Sequence, residues 1–278
     1  TNGNFTGIRI MGIFQNNLLA GAAAAASAGG GSFYDHQIEQ SARFDRASGS
    51  YLNRTIQSGG DLRKWTLSFW FKMIGSAGFG SNQYYLATSK LSASYDTMIF
   101  DIDSSSRFYY QTAGVYYYPN GSFRDTSGWG HLVIVYDSDN GTQTDRKIMY
   151  LNGTRMTTYE VSGGGIGQNV DSKFNSNSVH YIGARQDLGA AYFGSYYLAE
   201  YIWADAQAYA PTQFGESKNG VWIPKDPTGT DFGTTGYHLK FENSGDLGND
   251  SSGNNNDWTA NAMGTDHQSI DTPTIGTG

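Results

Sequence analysis

The chain has 278 residues, enough to bury one large core, and its 37 glycines, 5 prolines and 15% aromatic residues describe many turns around large packed rings. A formal charge of −7 with scattered Lys and Arg excludes the basic footprint of a nucleic-acid surface, and the absence of cysteine excludes disulfides, thiolate chemistry and Cys-based zinc sites. No apolar run approaches the roughly 20 residues that cross a bilayer, so no membrane insertion is expected.

Residues 1–32 differ in kind from the rest of the chain: Leu18-Leu19 leads into Ala20 to Ala28, nearly all small residues, and Gly29-Gly30-Gly31 comes next. Alanine favours helix and three glycines stop it, so this part reads as a short helix or extended arm ending in a Gly-rich hinge. Arg9, Ala26 and Ala28 give Ile8 to Ala28 a faint look of an export signal, but Gln15, Asn16 and Asn17 interrupt its apolar part, and a cleaved signal is disfavoured. A sandwich is expected over 33–215, with a C-terminal extension packed on it over 216–278.

Short strands separated by Gly and Asn/Asp turns begin near Ser41. The first are Ala42 to Phe44, Tyr51 to Arg54, Trp65 to Met73, Tyr84 to Thr88, Thr97 to Ile102, Arg107 to Gln111 and Val115 to Tyr118. His131 to Asp137, Arg146 to Leu151, Ser178 to Ile182, Gly194 to Trp203 and Gly236 to Phe241 come after them. Trp65 to Lys72 has the clearest period of two: Trp65, Leu67, Phe69 and Phe71 share one face, and Thr66, Ser68, Trp70 and Lys72 the other, as in a half-buried strand. Asn152-Gly153, closing the Arg146 run, is a tight-hairpin signal. Ala206 to Phe214 reads as a short helix with Pro211 near one end. The fold class expected is all-β, a two-sheet antiparallel jelly-roll sandwich with an N-terminal arm.

Glycan recognition needs flat aromatic surface beside a few polar groups, and Tyr109, Tyr110, Tyr116, Tyr117 and Tyr118 supply rings in quantity. Neighbouring strand residues point to opposite faces, so Tyr117 opposes Tyr116 and Tyr118, and at least one of the three must face solvent or an interface. A subunit contact would use the same rings. Hydrolysis of a glycosidic bond needs two converging carboxylates, for which Asp101-Ile102-Asp103 and the lone Glu200 offer little. His36, His131, His180, His238 and His267 show no metal-ligand spacing, and no Gly-X-Ser-X-Gly elbow occurs. Asp246, Asp250 and Asp257 are candidate calcium ligands in an oxygen-rich stretch, with Asp137, Asp139 and Asn140 a weaker set. Tight solvated turns have the same composition, and that reading is the plainer one.

The segments ARFDRASGSYLNRT, RKWTLSFWFK, GWGHLVIVYDS, IMYLNGTRM, VHYIGARQ and YFGSYYLAEYIWADAQAYAPTQFGE, in that order, resemble the concanavalin A-like lectin/glucanase superfamily in its laminin G-like branch. The stretch from Asn219 to Met263 looks like the extension that accompanies this domain in structural proteins of tailed bacteriophages. The resemblance implies a curved jelly roll displayed on a virion, as a decoration, tail or fibre component that binds carbohydrate, and the lack of a glucanase-type Glu-X-Asp-X-X-Glu run favours a component that is not an enzyme. It implies other virion proteins as partners through the arm, and a homo-oligomer; calcium is the one cofactor to consider. A purely structural assembly protein, a polysaccharide-degrading glycosidase and a host-encoded extracellular lectin are the alternatives.

Overall fold

The computed structural model of the protein describes residues 33–74, 83–91, 94–101, 108–112, 115–119, 125–157, 159–162, 165–186 and 191–274. The arm and hinge expected over 1–32 lie outside the described residues, as does Asp103. The strands are β1 (Ser41–Phe44), β2 (Tyr51–Thr55), β3 (Lys64–Met73), β4 (Gln83–Leu91), β5 (Ser94–Asp101), β6 (Phe108–Thr112) and β7 (Val115–Pro119). Then come β8 (Gly130–Asp137), β9 (Lys147–Leu151), β10 (Thr154–Arg155), β11 (Tyr159–Ser162), β12 (Val179–Ile182), β13 (Ala184–Gln186) and β14 (Ala191–Phe193). The last are β15 (Tyr196–Asp205), β16 (Gly215–Lys218), β17 (Val221–Pro224), β18 (Tyr237–Leu239), β19 (Thr259–Asn261) and β20 (Gln268–Ser269).

These strands form two antiparallel sheets. Sheet I runs β10-β9-β8-β3-β15-β1-β20, with β18 also paired to β15, and sheet II runs β11-β7-β6-β5-β4-β12-β2-β19. Two hairpins, β13-β14 and β16-β17, stand apart. The fold is an all-β antiparallel sandwich in which every expected strand has a counterpart, while β10, β11, β13, β14, β16, β17, β19 and β20 were not expected. Residues 216–274 do more than pack on the sandwich: β18 and β20 join sheet I and β19 joins sheet II.

The core fills the space between the sheets. Trp65, Leu67, Phe69 and Phe71 of β3 all turn into it, as their period of two requires. Rings from the two sheets meet there, with Trp65 and Tyr110 centroids 6.4 Å apart and Phe71 and Phe108 5.5 Å apart. Each such large side chain contributes about 1.5–3 kcal/mol when buried.

The other face of β3 is not left to solvent. Thr66, Ser68 and Trp70 are buried as well, because Phe214, Trp222 and Ile38 cover them together with Val133, Val135, Ala199 and Ile202. The covering segment begins where a short helix was expected over Ala206 to Phe214. Instead Ala206 has φ 59° and only Pro211–Gln213 forms a 3-10 turn. The Ala206 amide donates to Lys64 O and the Tyr209 amide to Thr66 Oγ1, so tertiary partners take the backbone groups a helix would have used internally.

At Glu200 the chain adds one residue. The register between β15 and β3 shifts between Ala199 and Ile202, and Glu200 takes φ 47°. Tyr196 and Leu198 face the core before this bulge, and Tyr201 and Trp203 after it. The extra residue therefore exchanges odd for even positions along one strand.

Candidate functional site

The expected tyrosine site divides at the sheet. Tyr110 and Tyr117 are cross-strand partners on β6 and β7, exposed by 0% and 7%, and both belong to the core. The Lys147 ammonium lies 4.6 Å from the Tyr110 centroid and 3.6 Å from that of Tyr117, and burial pushes its pKa well down. Strand parity is as expected, but Tyr110 and Tyr117 are the inward members and cannot meet a ligand. Tyr118 is half-buried and points to the opposite face from Tyr117, and the side chains of Tyr109 and Tyr116 lie outside the described ones.

The oxygen-rich stretch is a set of self-satisfied turns. Asp250 Oδ1 accepts the His238 and Ser252 amides, each at 2.8 Å, and Oδ2 accepts Ser252 Oγ at 2.8 Å and the Asn256 amide at 2.9 Å. Asp257 Oδ1 accepts the Asp250 amide at 2.8 Å, and Asp246 Oδ1 accepts the Gly248 amide at 3.2 Å. The donors around Asp250 occupy the directions in which a hard cation would bind. Among the described residues no group of three or more His, Asp or Glu side chains is arranged to hold a metal ion.

Buried carboxylates are equally committed. Asp205 accepts the Asp61 amide and Asn175 Nδ2 on one oxygen, and the Thr234 and Thr235 amides on the other. Glu200 touches His238 Nε2 through one oxygen, and its other oxygen stands 3.9 Å from His36 Nε2. Burial disfavours the Glu200 charge, but the two imidazoles outweigh it and bring the pKa down to about 2, far from that of a general acid. Neither Asp205 nor Glu200 is therefore free to serve as one of the facing carboxylates of a glycosidase.

A Ser–His contact on the outer face of sheet I is also not a nucleophile. Ser68 Oγ lies 2.8 Å from His131 Nε2, while Trp222 Nε1–H donates to His131 Nδ1 at 3.0 Å. That bond leaves the proton on Nε2, so the imidazole donates to Ser68 rather than accepting from it. Burial pushes the His131 pKa down to about 3. The cavity beside this pair and Glu200 measures about 10 Å³, as does the one between Trp203, Tyr237 and Trp258. Each has room for a single water, and neither for a sugar.

Aromatic surface of the right kind lies instead on the outside of sheet II. Leu52 of β2 and Ile182 of β12 are paired and enter the core, so Tyr51 and Asn53 of β2 and Tyr181 of β12 face outward. The β13-β14 hairpin brings Phe193 beside them. Tyr51 stacks with Phe193 at 6.0 Å and meets Tyr181 at 6.1 Å, and all three rings are half-buried. Gly49 permits this approach: its φ is 71°, and a Cβ there would sit 3.3 Å from the Phe193 ring. Burial, then the neighbouring Tyr51, raises the Tyr181 pKa.

An amide pair borders the rings. Asn261 of β19 donates from Nδ2 to Asn53 Oδ1 at 2.6 Å and to Thr259 O at 3.0 Å. Apolar ring faces beside carboxamides and two phenols are the equipment for holding a sugar ring by its C–H face and its hydroxyls. Sequence reasoning passes over Tyr51, Tyr181 and Phe193. Alternation marks Tyr51 and Tyr181 as outward residues, but only the pairing of β2 with β12 and the hairpin fold join them to Phe193.

Comparison with known proteins agrees with this architecture. A laminin G-type family model, described as concanavalin A-like lectin/glucanases superfamily, matches residues 24–206. The chain belongs to that superfamily. A candidate carbohydrate-binding protein from Bacteroides ovatus is similar in structure, with TM-score 0.59 and 12% identity, over 87% of this chain and 63% of its own. A heptameric SAP-like pentraxin from Limulus polyphemus has TM-score 0.44 and 16% identity, over 63% of this chain and 80% of its own. A Trypanosoma rangeli sialidase has TM-score 0.38 and 12% identity, over 56% of this chain and 25% of its own. At these identities the likeness is one of fold alone. No curated protein matches the chain.

Proposed function

We propose that the protein is a non-enzymatic, lectin-like module that binds carbohydrate through the Tyr51, Tyr181 and Phe193 rings, carried on a bacteriophage virion as a decoration, tail or fibre component. The observation that carries the binding reading is the half-buried aromatic surface bordered by the Asn53–Asn261 amide pair. The virion context is supported by the resemblance of the stretch from Asn219 to Met263 to the extension found in structural proteins of tailed bacteriophages. Attachment and ligand would use opposite sides. Ile38 is buried against Trp70 and Ala199 on the outer face of sheet I and exchanges hydrogen bonds with Thr274, whereas the rings lie outside sheet II. Neighbouring virion proteins and symmetry mates are the partners of this reading.

Glycan-array binding by the purified chain, repeated with Y51A and Y181A, tests the activity. Loss of a stacked ring contributes about 1 kcal/mol or more, so each variant is expected to bind at least about fivefold more weakly while its thermal melt stays close to that of the parent. Uniform silence of the folded parent overturns carbohydrate binding. Peptide mass analysis of purified particles tests the virion assignment separately.

A further inference from the structure

Residues 33–38 form a strap across the outer face of sheet I, held by contacts of two kinds. At one end, the Ile38 amide donates to Thr274 Oγ1 at 2.9 Å, and Thr274 Oγ1 donates back to Ile38 O at 3.1 Å. Those neutral bonds do not titrate near neutral pH. At the other end Lys218 Nζ lies 2.9 Å from both Asp35 carboxylate oxygens and 5.8 Å from the Phe33 centroid, an exposed ion pair that does not titrate near neutral pH either and holds the segment only weakly. Between them His36 points its Nε2 toward Glu200, 3.9 Å from Oε1, which is an electrostatic contact rather than a hydrogen bond.

We propose that His36 and Glu200 form a pH-sensitive latch that docks residues 33–37 on the sandwich at acidic to neutral pH and releases them as the pH rises. Glu200 is well suited to the fixed half of such a pair. It sits at the β15 bulge, is 7% exposed, and is steadied on its other oxygen by His238 of β18. The further charges facing His36 are Asp226, after β17, which supports its protonation, and Lys240, after β18, which opposes it. Because the strap leads directly to residues 1–32, the latch sets whether that part of the chain departs from a docked or a free Phe33.

The pH window is set by the two partners. The Glu200 carboxylate first, against the opposing effect of burial, raises the His36 pKa from its ordinary 6.5. A group raised on docking contributes fully below 6.5 and loses that contribution as the pH climbs through the raised value. Glu200, held down to about 2 from 4.5 by His238 ahead of His36, keeps its charge with the strap docked or free until acid approaches the lower figure. Both halves are in place between 4.5 and 6.5.

Nuclear magnetic resonance of the full chain, with labelled histidine and tyrosine, tests the latch. The expected result is a His36 imidazole titrating above 6.5, with the half-buried Tyr34 ring moving from its docked to its solvent shift at the same midpoint. Ile38 should stay bonded to Thr274 throughout. In H36Q the Tyr34 signal should lose its pH dependence from about 6 to 9, and the substitution removes no member of the hydrophobic core. A Tyr34 ring that stays docked across that range in the parent, a His36 midpoint at or below its ordinary value, or an unchanged Tyr34 profile in H36Q overturns the proposal.

Discussion

Burial, with no carboxylate in contact, pushes the His131 pKa down to about 3 and is the main cause that takes His180 to about 4, both from 6.5. A histidine whose folded value lies below its unfolded one takes up its proton first in the unfolded chain. Acid therefore favours unfolding from about pH 6.5 downward, and each contribution is exhausted below the folded value. With both rings titrating only in the unfolded chain, the unfolding free energy should fall by about 2.7 kcal/mol per pH unit between about 6.5 and 4. Urea titrations across that range measure it, and a flat profile would mean that the rings are charged in the folded state. The same scale shows why Tyr117 is legible only in part. Period two sets Tyr117 against its neighbours, but which side faces the core depends on sheet I arriving with Lys147.

Among the elements, the β9-β10 hairpin is the most readable from sequence. Asn152 and Gly153 take φ 47° and 73°, the two left-handed positions that an Asn-Gly turn supplies. Sequence does not reveal that Trp222 of the β16-β17 hairpin lies against this turn, its ring filling the space a Gly153 Cβ would need. G153A should therefore cost about 2–4 kcal/mol, combining left-handed strain with overpacking. Thermal unfolding of G153A, W222A and the double variant checks it. Additive losses would mean that the alanine never meets the indole. The bulge at Glu200 is hidden for a related reason: Ala199, Glu200 and Tyr201 carry no local signal for an added residue. What requires it is that Tyr196 and Leu198 on one side, and Tyr201 and Trp203 on the other, all enter one core.

For the molecule as a whole, residues 216–274 are part of the sandwich. β18 pairs with β15 beyond the bulge, β20 covers β1, and β19 covers β2, so removing them would expose sheet edges and strip Tyr237, Leu239 and Trp258 from the core. A chain ending at residue 215 is expected to lose cooperative unfolding, as followed by circular dichroism on heating; a sharp transition in the shortened chain would show a separable domain. By itself the sequence determined the all-β class, most strand positions and the Asn-Gly turn, because alternation and turn chemistry are local properties, and the order of its segments carried the resemblance to the superfamily. Only the tertiary structure decided that both faces of β3 are covered, that Asp250 and Glu200 serve internal partners, and that Tyr51, Tyr181 and Phe193 meet. Each of these depends on segments far apart in the chain being brought side by side, and no local pattern encodes which segments those are.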